Sequence, residues 1–282
     1  MLPQYLIDDV ILRALKEDAH YLDLSCEYLF EPAQAGRAYL LANAPGVLCG
    51  GAIFTRVFEL LGASIKANIL AKDGGAFEQG DTLLDITGPI AALLQGERTA
   101  LNLLQHLCGV ATMTAQIVKA AEGTGAVVSE TRKTLPGLRA LQKYAVTCGG
   151  GRNHRFNLSD GVMLKDNHID ACGSIEQAVR RVRSKLGHMV KIEVETRNLS
   201  EVGQALAAGA DVIMLDNMSV EEMREAVQYV RAHEKAPVPL EASGDITIAN
   251  AREIALTGVN ILSLGAITHS VQAANISMKM ST

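Results

Sequence analysis

Tryptophan is absent, and aromatic residues make only 4% of the 282 positions. The bulk must therefore come from small and aliphatic side chains, which suits helices packed on buried parallel strands. Charge of neither sign dominates: 26 Lys and Arg face 31 Asp and Glu, a formal net charge of −5. A general nucleic-acid binder needs a basic footprint, so that class is excluded. Cysteine is sparse. Cys26, Cys49, Cys108, Cys148 and Cys172 lie far apart, are odd in number and form no CxxC pair. A disulfide framework or a zinc site of the usual spacing is excluded; buried thiols in a reducing compartment are expected. No apolar run reaches membrane-spanning length, so no membrane partner is expected. The first residues, MLPQYLIDDVILRALKED, carry Asp8 and Asp9 and no basic leader. They read as a surface helix rather than a signal peptide, and a cytoplasmic location is expected.

What is present is ordinary for a globular chain. Hydrophobic residues make 48%, too many for disorder, and the 25 Gly are unperiodic, which excludes a collagen-like fibre. Up to residue 90, short helices mix with strands. Strands are predicted at Gly36–Ala44, Ser64–Ala71 and Thr82–Thr87, with a helix at Gly51–Leu61 between them. Pro89 opens a long helical stretch to about Ala121, which Gly109 and Gly123 threaten to interrupt. After Gly125, six apolar runs alternate with helical patterns: 126–129, 161–164, 189–195, 211–215, 239–243 and 260–264. Strands alternating with helices imply a parallel sheet, closed most simply as an incomplete (β/α) barrel; a doubly wound open sheet is the alternative.

A barrel keeps its chemistry at the C-terminal ends of its strands. Each run here finishes in polar residues: Thr131, Arg132 and Lys133; Lys165, Asn167 and His168; Glu195; Asp216; Ser243 and Gly244; Gly265. From Thr131 to His168, seven Lys or Arg stand against two acids, with His154 and His168 in the same stretch. Guanidinium forks and ammonium groups at this density suit a small polyanion. Glu195 and Asp216 end neighbouring strands. They could take sugar hydroxyls, hold Mg²⁺ or pair with the rim cations. The segment 243–247 has the composition of a phosphate cup at a helix N-terminus, with Gly265 completing it. The residues alone thus suggest a phosphate site, a diol or Mg²⁺ site and a cationic site for another anion. They name no reaction.

Longer strings do. ERTALNLLQH at 97–106, TRKTLPGLRALQKYAV at 131–146, CGGGRNHRFNLSDGVMLKDNHI at 148–169, IEVET at 192–196, ADVIMLDNM at 210–218, LEASG at 240–244 and LGAITHS at 264–270 resemble the signatures of the quinolinate phosphoribosyltransferases. The resemblance runs in order over essentially the whole chain. Molybdenum-transport homologues typically lack the NHR and KDNH strings, both intact here. Two departures appear: 17–25 lacks the glycines common after the Glu-Asp pair, and Leu135 stands where Thr is common.

The resemblance implies an α/β fold: an N-terminal α/β sandwich at 1–108, joined by the tail 271–282, and an open seven-stranded α/β barrel at 109–270 with the active site. It implies transfer of phosphoribosyl from phosphoribosyl pyrophosphate to quinolinate, with decarboxylation and Mg²⁺. Products are nicotinate mononucleotide, pyrophosphate and CO₂, for NAD synthesis. By the same resemblance, Arg132, Arg155, Lys165 and His154, with Thr131, grip the two carboxylates. Arg98 reaches the site from a second subunit, making a homodimer the minimal unit. Ser243, Gly244, Gly265 and His269 take the 5-phosphate. Glu195 and Asp216 take the ribose and Mg²⁺, directly or through water. Lys133, Lys165, Asn167 and His168 face the pyrophosphate. Competing readings are a nicotinate phosphoribosyltransferase without decarboxylation, a Schiff-base aldolase using Lys133 or Lys165, and a nucleotide-sensing module without turnover.

Overall fold

The computed structural model describes residues 2–19, 21–32 and 34–281. Met1, Thr282 and the His20 of the 17–25 segment lie outside them. In chain order the elements are α1 (Gln4–Asp18), α2 (Leu24–Leu29), β1 (Ala35–Ala42), β2 (Gly46–Val47), α3 (Gly51–Leu60), β3 (Lys66–Ile69), β4 (Ala76–Phe77), β5 (Thr82–Pro89) and α4 (Ile90–Ala120). There follow β6 (Val127–Ser129), α5 (Arg139–Cys148), β7 (Val162–Leu164), α6 (Asp166–Cys172), α7 (Ile175–Arg183), β8 (Ile192–Thr196), α8 (Leu199–Ala207) and β9 (Val212–Asp216). The last are α9 (Val220–His233), β10 (Leu240–Ser243), α10 (Ala251–Ala255), β11 (Ile261–Ser263), α11 (Ala266–His269) and β12 (Ile276–Ser281). They fall into two compact units. One holds residues up to Ala115, Thr134–Gly150 and those from Ala266; the other holds Gln116–Lys133 and Gly151–Gly265. The division thus differs from a single cut at 108/109, because α5 and its flanks group with the first unit.

The first unit is built on an antiparallel sheet ordered β12-β1-β5-β3. Alternation makes β1 half-buried: Ala38, Leu40 and Ala42 point into the core. The tail strand β12 pairs with β1 from Arg37↔Ser281 to Ala42↔Ile276. Helix α3 buries Ile53, Phe54, Val57 and Phe58, a 3–4 spacing that places them on one face. Helix α1 does the same with Ile7, Val10, Ile11 and Leu15, and its Asp8 takes a two-pronged bond from Arg56 of α3, 2.9 Å on each arm. Gly109 does not break α4. A Cβ there would collide with the carbonyl oxygen of Gln272, so the glycine admits the returning tail. All five cysteines are free thiols, three of them buried. Cys49, Cys148 and Asp73 do converge within 4.8 Å. The Asp73 oxygens already accept from the Gly50 and Gly51 N–H groups and the Tyr144 hydroxyl, a structural use.

The second unit is a parallel sheet ordered β6-β11-β10-β9-β8-β7, with helices between successive strands. Six strands form here. A one-residue parallel bridge from Arg152 to Ser129 occupies the next place, beside β6. The strands are near-continuous apolar runs, as both faces of such a sheet are covered. Side-chain caps start the crossover helices: Ser174 accepts from Gln177 N–H, Asn198 from Glu201 N–H, and Ser219 with Glu222 forms a reciprocal box. One expectation needs correction. The segment after β10 does not run into a helix: α10 begins only at Ala251, and 244–250 is a loop tied by Asn250 to Thr247 N–H and Asp245 O. Left-handed backbone at Gly244 (φ 101°) and Asp245 (φ 44°) prevents helix entry at once.

Candidate active site

Residues two apart on a strand share a face. On β8 that pairs Glu193 with Glu195; on β9, Met214 with Asp216; on β10, Glu241 with Ser243. Register aligns these rows: Glu195 stands beside Met214, and Ser243 beside both Asp216 and Ser263. The outer member of each pair opens into a cavity of about 380 Å³ within the second unit. Its lining brings together Thr131, Arg132, Lys133, His154, Arg155, Lys165, Glu195, Asp216 and Ser243, all expected from the sequence.

Cations and carboxylates meet directly in this cavity. Lys165 Nζ donates to Glu195 Oε2 at 2.8 Å. Arg155 donates to the Gly161 carbonyl at 3.0 Å and lies near Met163 Sδ. Burial, and next the charge of Arg132, push the Arg155 guanidinium below its usual range. Glu193 and Asp160 act on Arg155 in the opposite sense, and two guanidiniums close together in a partly dry cavity favour an anionic guest.

His154 lines the cavity, but its ring is held from behind. Its backbone N–H donates to Glu130 Oε1 at 3.1 Å, and Nδ1 accepts from the Arg155 N–H at 2.8 Å. Nε2 lies 3.2 Å from Glu193 Oε2 and 3.4 Å from Glu241 Oε1. Burial alone would discharge the ring; the two carboxylates outweigh it and raise His154 to about 9. Burial likewise raises Glu193. Nδ1 accepts only in the neutral ring, whose hydrogen then sits on Nε2 facing the two carboxylates; a charged ring gives up the contact with the Arg155 N–H.

Several site residues were not foreseen. Asn217, at φ 53°, donates to Asp216 Oδ2 at 2.9 Å, and its Oδ1 fills the space a Cβ on Gly244 would need. An Asn directly after a strand-end Asp was the available signal, since Asn tolerates this conformation. Glu193 and Glu241 were readable from strand alternation with Glu195 and Ser243. Ser263, buried with its hydroxyl unpartnered among the described residues, carried no signal.

Other expected residues lie elsewhere. Asn167 and His168 belong to α6, where His168 Nδ1 accepts from Lys165 N–H at 3.0 Å as a helix cap. Gly244 and Gly265 end their strands without lining the cavity. Arg98 and His269 belong to the first unit. Arg98 is exposed on α4; Asp85, a candidate partner for it, pairs instead with Arg37 at 3.2 Å. His269 Nδ1 lies 2.6 Å from Ser270 Oγ.

The carboxylates suit a hard divalent ion. Glu195 and Asp216 offer oxygen only, on adjacent strands, with space beside them for retained water.

Comparison with known proteins agrees with this architecture. The model of the quinolinate phosphoribosyl transferase N-terminal domain matches residues 23–108, and that of the C-terminal domain matches 110–279. A nicotinate-nucleotide pyrophosphorylase [carboxylating] of Mycobacterium leprae is 40% identical over 278 residues, covering 96% of each chain. The chloroplastic protein of that name from Arabidopsis thaliana is 38% identical, covering 99% of this chain and 84% of its own. The solved nicotinate-nucleotide pyrophosphorylase of Francisella tularensis superposes with a TM-score of 0.92 at 36% identity, covering 100% of this chain and 98% of its own. Human nicotinic acid phosphoribosyltransferase shares the fold alone, at 14% identity and a TM-score of 0.59. The chain belongs to the quinolinate phosphoribosyl transferase family.

Proposed function

We propose that this chain transfers a phosphoribosyl group from phosphoribosyl pyrophosphate to quinolinate and releases CO₂, giving nicotinate mononucleotide and pyrophosphate for NAD synthesis. The observation that carries this reading is the pair Arg132 and Arg155, crowded in one cavity with Lys165, Glu195 and Asp216. A dianionic planar acid relieves the repulsion between the two guanidiniums. A monocarboxylate relieves it in part, which disfavours a nicotinate transferase. A Schiff-base aldolase needs a desolvated lysine; Lys165 is half exposed and ion-paired.

The steps follow from where the charges stand. Arg132, Arg155 and Lys165, with Thr131, hold the acid so that its ring nitrogen faces C1 of the ribose. Ser243, with Gly244 and Gly265 after their strands, takes the 5-phosphate; Lys133, with Asn167 and His168 on α6, takes the pyrophosphate. As the C1–O bond breaks, its electron pair leaves with pyrophosphate and positive charge grows on the sugar. The carboxylates of Glu195 and Asp216 stabilise that charge. The nitrogen then attacks C1. Its new positive charge stabilises the carbanion left at C2 when the 2-carboxylate departs as CO₂, and a proton added at C2 completes the product. Positioning and preorganised charge carry the rate without a covalent enzyme intermediate. Mg²⁺ held by Glu195 and Asp216, directly or through water, would neutralise pyrophosphate charge.

A homodimer is the proposed unit, with Arg98 completing the partner's acid site; an exposed arginine without an ion-pair partner among the described residues supports this. The cytoplasm is the proposed location. No described helix is long and apolar enough to cross a membrane.

Binding tests the acid assignment. Calorimetry should find quinolinate bound at least about tenfold tighter than nicotinate, with the gap closing in Arg132→Ala and Arg155→Ala. Equal affinity for both acids in the unsubstituted protein would overturn it.

A further inference from the structure

Two of the inner members, Glu193 and Glu241, face a second cavity, whereas Met214 lines the first. The second cavity has a volume of about 600 Å³ and opens at the N-terminal ends of the same strands, where Val127, Val162, Val212, Pro239 and Ile261 line it. His154 and Arg155 line both cavities and so form the wall between them. On the floor of this second cavity lie Glu193, 7% exposed, and Glu241, 2% exposed.

These carboxylates are incompletely satisfied. Among the described residues, Glu193 Oε1 has no hydrogen-bond partner, and Glu241 Oε1 has the long 3.4 Å contact with His154 Nε2, without hydrogen-bond geometry. A buried carboxylate oxygen left without a partner is unfavourable, so a group that pairs it is favoured there. Arg155, whose charge acts on Glu193, lines the same cavity with Arg152 and Lys191, yet leaves these two oxygens without a hydrogen bond among the described residues. A donor cation placed between the two oxygens would pair both.

A metal ion fits less well than a donor cation. Although the three ligand atoms lie within 4.8 Å of one another, Nδ1 of His154 accepts from the Arg155 N–H. Nε2 therefore carries a hydrogen and cannot ligate. A cation bearing its own N–H groups satisfies both orphan oxygens without displacing that hydrogen. The valine, proline and isoleucine walls suit an apolar stem behind it.

We propose that the N-terminal mouth of the parallel sheet binds a small organic cation, a primary ammonium on an apolar stem, with its N–H groups on Glu193 and Glu241. This site does not depend on the reaction assigned above, since it lies on the other side of the His154–Arg155 wall.

Benzylammonium and its neutral isostere, benzyl alcohol, are the probes, titrated by calorimetry into the full chain. Benzylammonium should bind, and benzyl alcohol at least about tenfold more weakly. Glu241→Gln, which keeps shape and removes charge, should weaken benzylammonium about tenfold or more. Val212→Phe, which fills the mouth and leaves both carboxylates in place, should do the same. The unsubstituted protein alone decides the matter if a variant fails to fold. No heat with benzylammonium, equal binding of the alcohol, or undiminished binding in both folded variants would overturn the proposal.

Discussion

Lys165 Nζ lies 2.8 Å from Glu195 Oε2, joining the ends of the adjacent parallel strands β7 and β8 across the mouth of the cavity. In the proposed reaction the pair links the cation assigned to the acid with a carboxylate assigned to the sugar. Its lysine is 48% exposed, so the bond contributes little to folding.

Lys165→Met should therefore leave the melting temperature almost unchanged and remove nearly all turnover. Differential scanning calorimetry beside an activity assay checks both. A variant that unfolds early yet turns over normally would make the pair structural.

Gly244→Ala tests the turn beside Asp216. The added Cβ meets Asn217 Oδ1, and φ 101° is strained for any side chain. A loss of about 1–3 kcal/mol of stability is expected, and Asp216 loses the Asn217 amide that orients it. The KM for phosphoribosyl pyrophosphate should rise more than that for quinolinate. Steady-state kinetics in both substrates would expose the opposite ranking.

Much of this was legible in advance. The apolar runs at 161–164, 189–195, 211–215 and 239–243 all became strands, because a doubly covered parallel strand is apolar on both faces. Polar residues directly after those runs gave the rim. Other features were hidden for physical reasons. Glu193 sits inside an apolar run, where a charged residue reads as an interruption unless its parity with Glu195 is followed. Gly109 looked like a helix breaker, but tertiary contact with the tail outweighs its propensity cost. The loop 244–250 looked helical because Ser, Gly and Asp also suit helix starts; left-handed Asp245 decides otherwise.

The cluster behind His154 makes stability depend on pH. Folding raises His154 from its ordinary 6.5 to about 9 and raises Glu193 as well. A raised folded value means the native state binds the proton more tightly. The histidine's share is complete below about 6.5 and is lost as pH rises through about 9. Glu193→Gln should flatten this fall. Urea unfolding of both proteins from pH 6 to about 9.5 measures it, and an unchanged slope in the variant would remove Glu193 from the cluster's titration.

Arg98→Ala and Lys165→Ala should each be nearly inactive alone if Arg98 serves the partner's site. Mixed and allowed to exchange subunits, they form about half heterodimers, each with one competent site, so roughly a quarter of the original activity returns. No recovery despite demonstrated exchange would place Arg98 outside the partner's site.

The central claim is the reaction itself. Quinolinate labelled in its 2-carboxylate, incubated with phosphoribosyl pyrophosphate, Mg²⁺ and the protein, should release labelled CO₂ and nicotinate mononucleotide in equal amounts, with nicotinate giving no comparable product. Mononucleotide from nicotinate at equal or greater rate, or none from quinolinate, would contradict the account.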